Sequence, residues 1–170
     1  MGSSGTNYGV QFGANSLAII DSDAPGGTGN IGNEPTPDTV LFFLTGSAIL
    51  NYAPGFTGGF SFWYSTVSFG GAVNVYDDVN ATGTLLGTIN LAALGAGPGD
   101  PNGSFSNWAI GSLALMGNAK SIDFGGTVNQ VAFDNVTFGS TNPNPIPEPT
   151  SLALVGAALL AAGAARRRKA

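Results

Sequence analysis

The chain has 170 residues, 27 of them Gly and 10 Pro, with no His and no Cys. Those two absences remove imidazole general bases, thiol nucleophiles, disulfides and the common zinc ligand sets. Charge is lopsided: residues 1–146 hold nine carboxylates and one cation, Lys120, a net −8, whereas residues 147–170 hold four cations and Glu148, a net +3. So acidic a body excludes nucleic acid, which is bound by displacing counterions with Lys and Arg; cations and neutral sugars stay open to it.

Before Pro147 the chain is long enough for one domain with a real core. Its aromatic and β-branched residues argue against disorder. Gln11-Phe12 and Ser16 to Ile20 open as short strands. Asp21 to Asp38 is a long loop, broken by Gly26-Gly27, Gly29 and Gly32 and by Pro25, Pro35 and Pro37. A loop of that length inside a compact domain is often functional or mobile. Thr39 to Leu44 is apolar on both faces and reads as a buried central strand. Ser47 to Tyr52 continues in β residues, and Pro54-Gly55 and Gly58-Gly59 read as turns.

Phe60 to Ser65 alternates with period two, setting Phe60, Phe62 and Tyr64 on one side and Ser61, Trp63 and Ser65 on the other. Gly70-Gly71 is a turn, Val73 to Asp77 a strand, Asp78 to Thr84 a polar turn, and Leu85 to Leu91 a further strand. Gly95 to Gly103, with Pro98 and Pro101, is a loop. Asn107 to Ile110, Ala119 to Phe124 and Gln130 to Phe138 read as closing strands, and Leu113 to Met116 as either strand or one helical turn. The expected fold is all-β, a β-sandwich or jelly roll of about 8–10 strands.

Few residues carry chemistry. The metal-ligand candidates are all oxygen donors, which suits Ca²⁺. Asp21 and Asp23 stand where a strand enters the long loop, Asp77-Asp78 where another ends, and Asp134-Asn135 inside the last strand, where an unpaired carboxylate is expensive to bury. By analogy with jelly-roll sugar-binding modules, Asp21, Asp23 and Asp134 share one structural Ca²⁺. The competing reading is that Asp21 and Asp23 start turns, Asp77-Asp78 caps a hairpin and Asp134 faces water. Tyr8, Tyr52, Trp63, Tyr64, Tyr76 and Trp108 supply either a sugar-stacking surface or core rings. Asn80, Asn102 and Asn135 each begin an Asn-x-Ser/Thr triplet, a pattern frequent by chance in so Asn- and Thr-rich a chain. Catalysis has little to stand on: Lys120 lacks the Ser-x-x-Lys spacing, and opposed carboxylates for glycoside hydrolysis need a cleft that sequence does not show. The chain reads as a non-enzyme.

The end of the chain has three parts in fixed order. Thr141 to Pro149 is a Pro-rich linker, stiff and extended, ending in Pro147-Glu148-Pro149. Residues 150–170 begin with an apolar stretch, in which Leu152, Leu154, Val155, Leu159 and Leu160 are the large aliphatics. With only two Gly inside it, Leu152 to Ala165 can close its own backbone hydrogen bonds as a helix, as a chain crossing lipid must. It is shorter than the roughly 20 residues that a span prefers, so a packed core helix is the alternative. It lacks the polar face of a surface helix. Arg166, Arg167, Arg168 and Lys169 follow, a cluster that stays on the cytoplasmic side of a membrane. A short, weak span suits a temporary anchor.

This tail resembles the PEP-CTERM sorting signal of Gram-negative and related bacteria. The residues that carry the likeness are Pro147-Glu148-Pro149, the apolar run after them and the Arg-rich end. The resemblance implies export, transient retention in the inner membrane and processing by an exosortase, with Pro147, Glu148 and Pro149 read as substrate. It also implies delivery to the cell surface or extracellular biofilm matrix, where exopolysaccharide is a neighbour. Phe60 to Tyr64, Val73 to Asp77, Ile122 to Gly126 and Phe133 to Phe138 are similar to the β-sandwich bodies common among such proteins. The expected organisation is a sandwich over 1–140, a linker over 141–149 and a sorting signal over 150–170, with no cofactor beyond a structural Ca²⁺. The alternative function is a secreted carbohydrate-binding module. Met1 to Gly5 has neither a basic nor an apolar leader segment, so an exported chain is expected to draw its signal peptide from sequence upstream of this one.

Overall fold

The computed structural model describes residues 8–98 and 103–143. The linker from residue 144, the Pro-Glu-Pro motif, the apolar segment and the basic cluster lie outside them. Among the described residues the chain forms eight strands and no helix: β1 (Val10–Phe12), β2 (Leu17–Ile20), β3 (Thr39–Phe42), β4 (Ala48–Thr66), β5 (Gly71–Tyr76), β6 (Leu85–Leu91), β7 (Ala109–Phe124) and β8 (Val131–Phe138). All pairings are antiparallel, in the order β2-β3-β8-β4-β7-β5-β6, with β1 added on β4.

Two strands are much longer than the rest, β4 with 19 residues and β7 with 16. Each serves different neighbours along its length. The start of β4 pairs with β1 and the end of β7; its last part pairs with β8 and the start of β7. The end of β7 also pairs with β5. The path thereby folds over into two layers. One holds β2, β3, β8, the end of β4 and the start of β7; the other holds β1, the start of β4, the end of β7, β5 and β6. Phe124 shows the closure. It lies in register between Ala48 and Val73 of the second layer, yet its ring centroid is 6.0 Å from Phe60, 5.8 Å from Phe62 and 4.8 Å from Phe133. The body is a β-sandwich-like sheet.

The expected turns at Pro54-Gly55 and Gly58-Gly59 lie inside β4. Register against β7 slips between Asn51 and Phe56 and again between Phe56 and Gly58. Gly55 and Gly58 have φ of 78° and 86°, a region open to glycine at no steric cost. The extra residues bend the strand from one layer into the other, as bulges do, and do not reverse it. Likewise the two strands expected over Asn107 to Ile110 and Ala119 to Phe124 are one strand, and Leu113 to Met116 is its middle.

The main core fills the space between the layers, with Phe43, Phe60, Phe62, Phe124 and Phe133 fully buried. Burial of each ring is worth on the order of 2 kcal/mol. Phe60, Phe62 and Tyr64 share this side of β4, as their alternation requires. A second, smaller core lies on the outer face of the first layer: Ile31, Val40, Phe42, Phe105 and Ala132. Thr39 to Leu44 is indeed apolar toward both, with Leu41 and Phe43 in the main core and Val40 and Phe42 in the smaller one. Its strand is second from the edge, between β2 and β8, not central. The cover over the smaller core is the long loop itself. Ile31 is fully buried and bridges to Phe105, and Asp21 bridges to Gly29.

Candidate functional site

Asp21, at the end of β2, is 2% exposed. Its Oδ1 accepts the N–H of Ser22, and the Asp23 carboxyl is a neighbour. Burial pushes the Asp21 carboxyl above its ordinary value; the Ser22 N–H opposes this, and the nearby carboxylates of Asp23 and Glu34 add to it. Asp134, in β8, is 7% exposed. Its Oδ2 accepts the Thr36 N–H at 2.8 Å; its Oδ1 accepts the Thr36 hydroxyl at 2.7 Å and the Asn135 N–H at 2.7 Å. The chain thus answers the cost of a carboxylate inside a strand with three donors, two of them from the long loop 98 residues away.

The structure therefore places Asp21 and Asp23 together and gives Asp134 to Thr36. Among the described residues no three His, Cys, Asp or Glu side chains gather as a metal-holding group, and Asp21, Asp23 and Asp134 form no such triad. Asp134 is buried, so it does not face bulk water as one sequence reading had it, and neither sequence reading of it included the loop clamp. The Thr-x-Asp38 segment carried no periodic signal that would have matched it to a residue in β8.

Asp77 ends β5. The Thr84 N–H donates to its Oδ1 at 2.6 Å and closes the 78–83 turn. That bond first, then the Thr84 hydroxyl, with the charge of Lys120 adding, holds its carboxyl below the ordinary value. This is the hairpin-capping role. The turn folds back over the second layer: Ser121 donates to the Asp78 carbonyl and accepts from the Ala81 N–H, and Asn80 is doubly bonded to Asn51.

The six aromatic candidates do not share one surface. Tyr64 is in the main core and Tyr52 packs against it, 5.5 Å from the Phe138 ring. Trp108 packs on the smaller core and donates its indole N–H to the Gly32 carbonyl at 2.9 Å. Tyr8 is exposed.

One polar surface was not singled out in the sequence. On the outer face of the second layer, cross-strand pairing aligns Thr88, Asn74, Asp123 and Ile49, and beside them Tyr76, Asn51 and Ser121, the last buried under the 78–83 turn. Thr88 donates its hydroxyl to Asn74. Oδ1 of Asp123 is buried with no hydrogen-bond partner. Asn74 and Asp123 alternate with buried Val73, Val75, Ile122 and Phe124, which is the signal that places them outward. A cleft of about 200 Å³ lined by Ala18, Ile19, Ile20, Gly26, Gly27 and Thr28 offers no acid or base.

Residues 145–169 match the PEP-CTERM protein-sorting motif. Compared with curated proteins, the chain has no match. Among solved structures it is similar to a glycoside hydrolase family 43 arabinoxylan arabinofuranohydrolase from Bacillus subtilis in complex with cellotetraose, at 19% identity and TM-score 0.47 over 72% of this chain and 24% of that one. It is also similar to a family 6 carbohydrate-binding module, at 18% identity and TM-score 0.45 over 75% and 85% of the two chains. A third is CsCBM6-3 from Clostridium stercorarium in complex with cellobiose, at 18% identity and TM-score 0.45 over 77% and 86%.

Proposed function

We propose that this protein, which carries a PEP-CTERM sorting motif, is a non-enzymatic cargo exported to the cell surface or extracellular matrix. The observation that carries the reading is the motif over 145–169. Pro147, Glu148 and Pro149 are read by an exosortase. Leu152 to Ala165 holds the chain in the inner membrane until processing, and Arg166 to Lys169 fixes its direction there. The body supports a cargo role by its chemistry: it has no His or Cys, and its buried carboxylates are engaged in holding a loop. Mass spectrometry of secreted material tests the proposal. The expected product lacks Leu152 to Ala170; a secreted chain that retains them overturns it.

A second reading makes the body a carbohydrate-binding module. It is favoured by the outward row of Thr88, Asn74 and Asp123, whose hydroxyl, amide and carboxylate are the kinds of group that hydrogen-bond sugar hydroxyls. Calcium would enter this reading through Asp21 and Asp23, with a melting shift on adding EDTA as its sign. A glycan array probed with the full chain and with Asp123→Ala is the test. Binding lost in the variant is expected; no binding by either, or equal binding by both, removes this reading.

A further inference from the structure

Among the described residues the sandwich has four strand edges, and they differ in what guards them. Exposed edges offer unpaired N–H and C=O groups to any extended chain, and proteins commonly blunt them with charge, Pro, shortness or bulges. Strand β1 has three residues. Strand β2 runs directly into Asp21 and Asp23, and β6 begins beside Asp77 and Asp78. Two copies meeting at either of those would bring like charges together.

The start of β7 has no such guard. Seven consecutive pairs, from Tyr64↔Ala109 to Gly58↔Leu115, bind it to β4 without a slip. On its other side β5 pairs only with Ser121–Phe124 and its neighbours up to Val73↔Phe124. Among the described residues nothing pairs with the second edge of Ala109 to Ala119. That stretch has no charge and no Pro in a body of net −8. Alternate residues of it direct their backbone groups away from β4. Its inner face is filled: Leu113 packs against Gly87 of β6, and Gly111 against Phe62 and Ile89. Its outer face is bare, with Ile110 45% exposed and Met116 fully exposed.

We propose that this edge is a self-association site, at which the β7 strands of two copies pair antiparallel about Leu113. The register follows from the side chains. Pairing about Leu113 sets residue 110 opposite 116 and residue 112 opposite 114. Ile110 of each copy then covers Met116 of the other, and Ser112 meets Ala114, so both exposed apolar side chains are buried twice by one two-fold contact. No charged side chain lies in the paired stretch. The arrangement is isologous and closes as a dimer. It is independent of the sorting reading, because it uses only the folded body.

The absence of native Cys makes the register directly readable. Ile110→Cys and Met116→Cys are prepared separately in the full chain in detergent solution, then mixed and oxidised. Paired residues across strands lie about 5 Å apart at Cα, whereas two copies of residue 110 stand about 20 Å apart along the paired strands. The expected result is a disulfide dimer that forms in the mixture at least tenfold faster than in either variant alone. Adding Ser112→Lys to both variants puts like charges into the seam and should abolish the cross-link while leaving the melting temperature unchanged. Equal cross-linking by the single variants, as association through the detergent-bound tail would give, overturns the proposal. So does a cross-link that survives Ser112→Lys, or a full chain that stays monomeric by light scattering.

Discussion

Asp134 and Asp21 are the buried acids among the described residues, and both belong to the attachment of the same long loop. Asp134 reaches it from β8 and finds an N–H and a hydroxyl of Thr36 waiting. Asp21 begins it and finds one N–H, from Ser22, and two other carboxylates, Asp23 and Glu34. Burial is similar; the company is opposite. A carboxylate supplied with donors anchors, whereas one supplied mainly with further acids costs stability wherever it is ionised. The loop is therefore fastened at Thr36 and under electrostatic load at its start.

Asp134→Ala should break the stronger side of this contrast. It leaves the Thr36 N–H and hydroxyl without their acceptor beside the smaller core, and buried groups so orphaned cost roughly 1–3 kcal/mol each. We expect a loss of about 2–4 kcal/mol in unfolding free energy, read from urea denaturation. Hydrogen exchange should locate the loss in residues 21–38, with Ile31 and Phe105 separating while the main core stays protected. Asp134→Asn keeps one acceptor and should fall between the variant and the parent. Equal protection of the loop in Asp134→Ala would mean that the apolar cover over Ile31 holds it unaided.

How legible this was in the sequence depends on range. Phe60, Phe62 and Tyr64 could be assigned to one face because period-two alternation is a local property of a strand. Thr39 to Leu44 declared its two buried faces the same way. Gly55 and Gly58 could be recognised as left-handed positions, but a positive φ serves a bulge as well as a turn, and only pairing with β7 decides between them. The Asp134–Thr36 clamp was unreadable because its partners are 98 residues apart. The outward row of Thr88, Asn74 and Asp123 needed the strand order, since β7 lies beside β5 only through a non-sequential pairing. The sorting signal was the most legible part because its logic is linear: motif, apolar run and cations in one order on one segment.

Asp21→Asn sharpens the other side of the comparison, with a smaller effect of opposite sign. The amide keeps an oxygen for the Ser22 N–H and gains an N–H for Asp23, while removing the buried charge. A raised folded-state value means that the native protein holds a proton more tightly than the unfolded chain does. The cost of Asp21 is therefore absent below the ordinary value of 3.8 and fully present above the raised folded value. Asn should stabilise at pH 7 within the roughly 0.5–2 kcal/mol that single favourable substitutions yield. The gain should shrink as the pH is lowered through that window and vanish below it. Thermal melts of parent and variant between pH 3 and pH 7 give the difference directly. A gain that is constant with pH would assign the effect to shape and hydrogen bonding, and a loss at pH 7 would mean that the Asp21 carboxylate is as well supplied as Asp134.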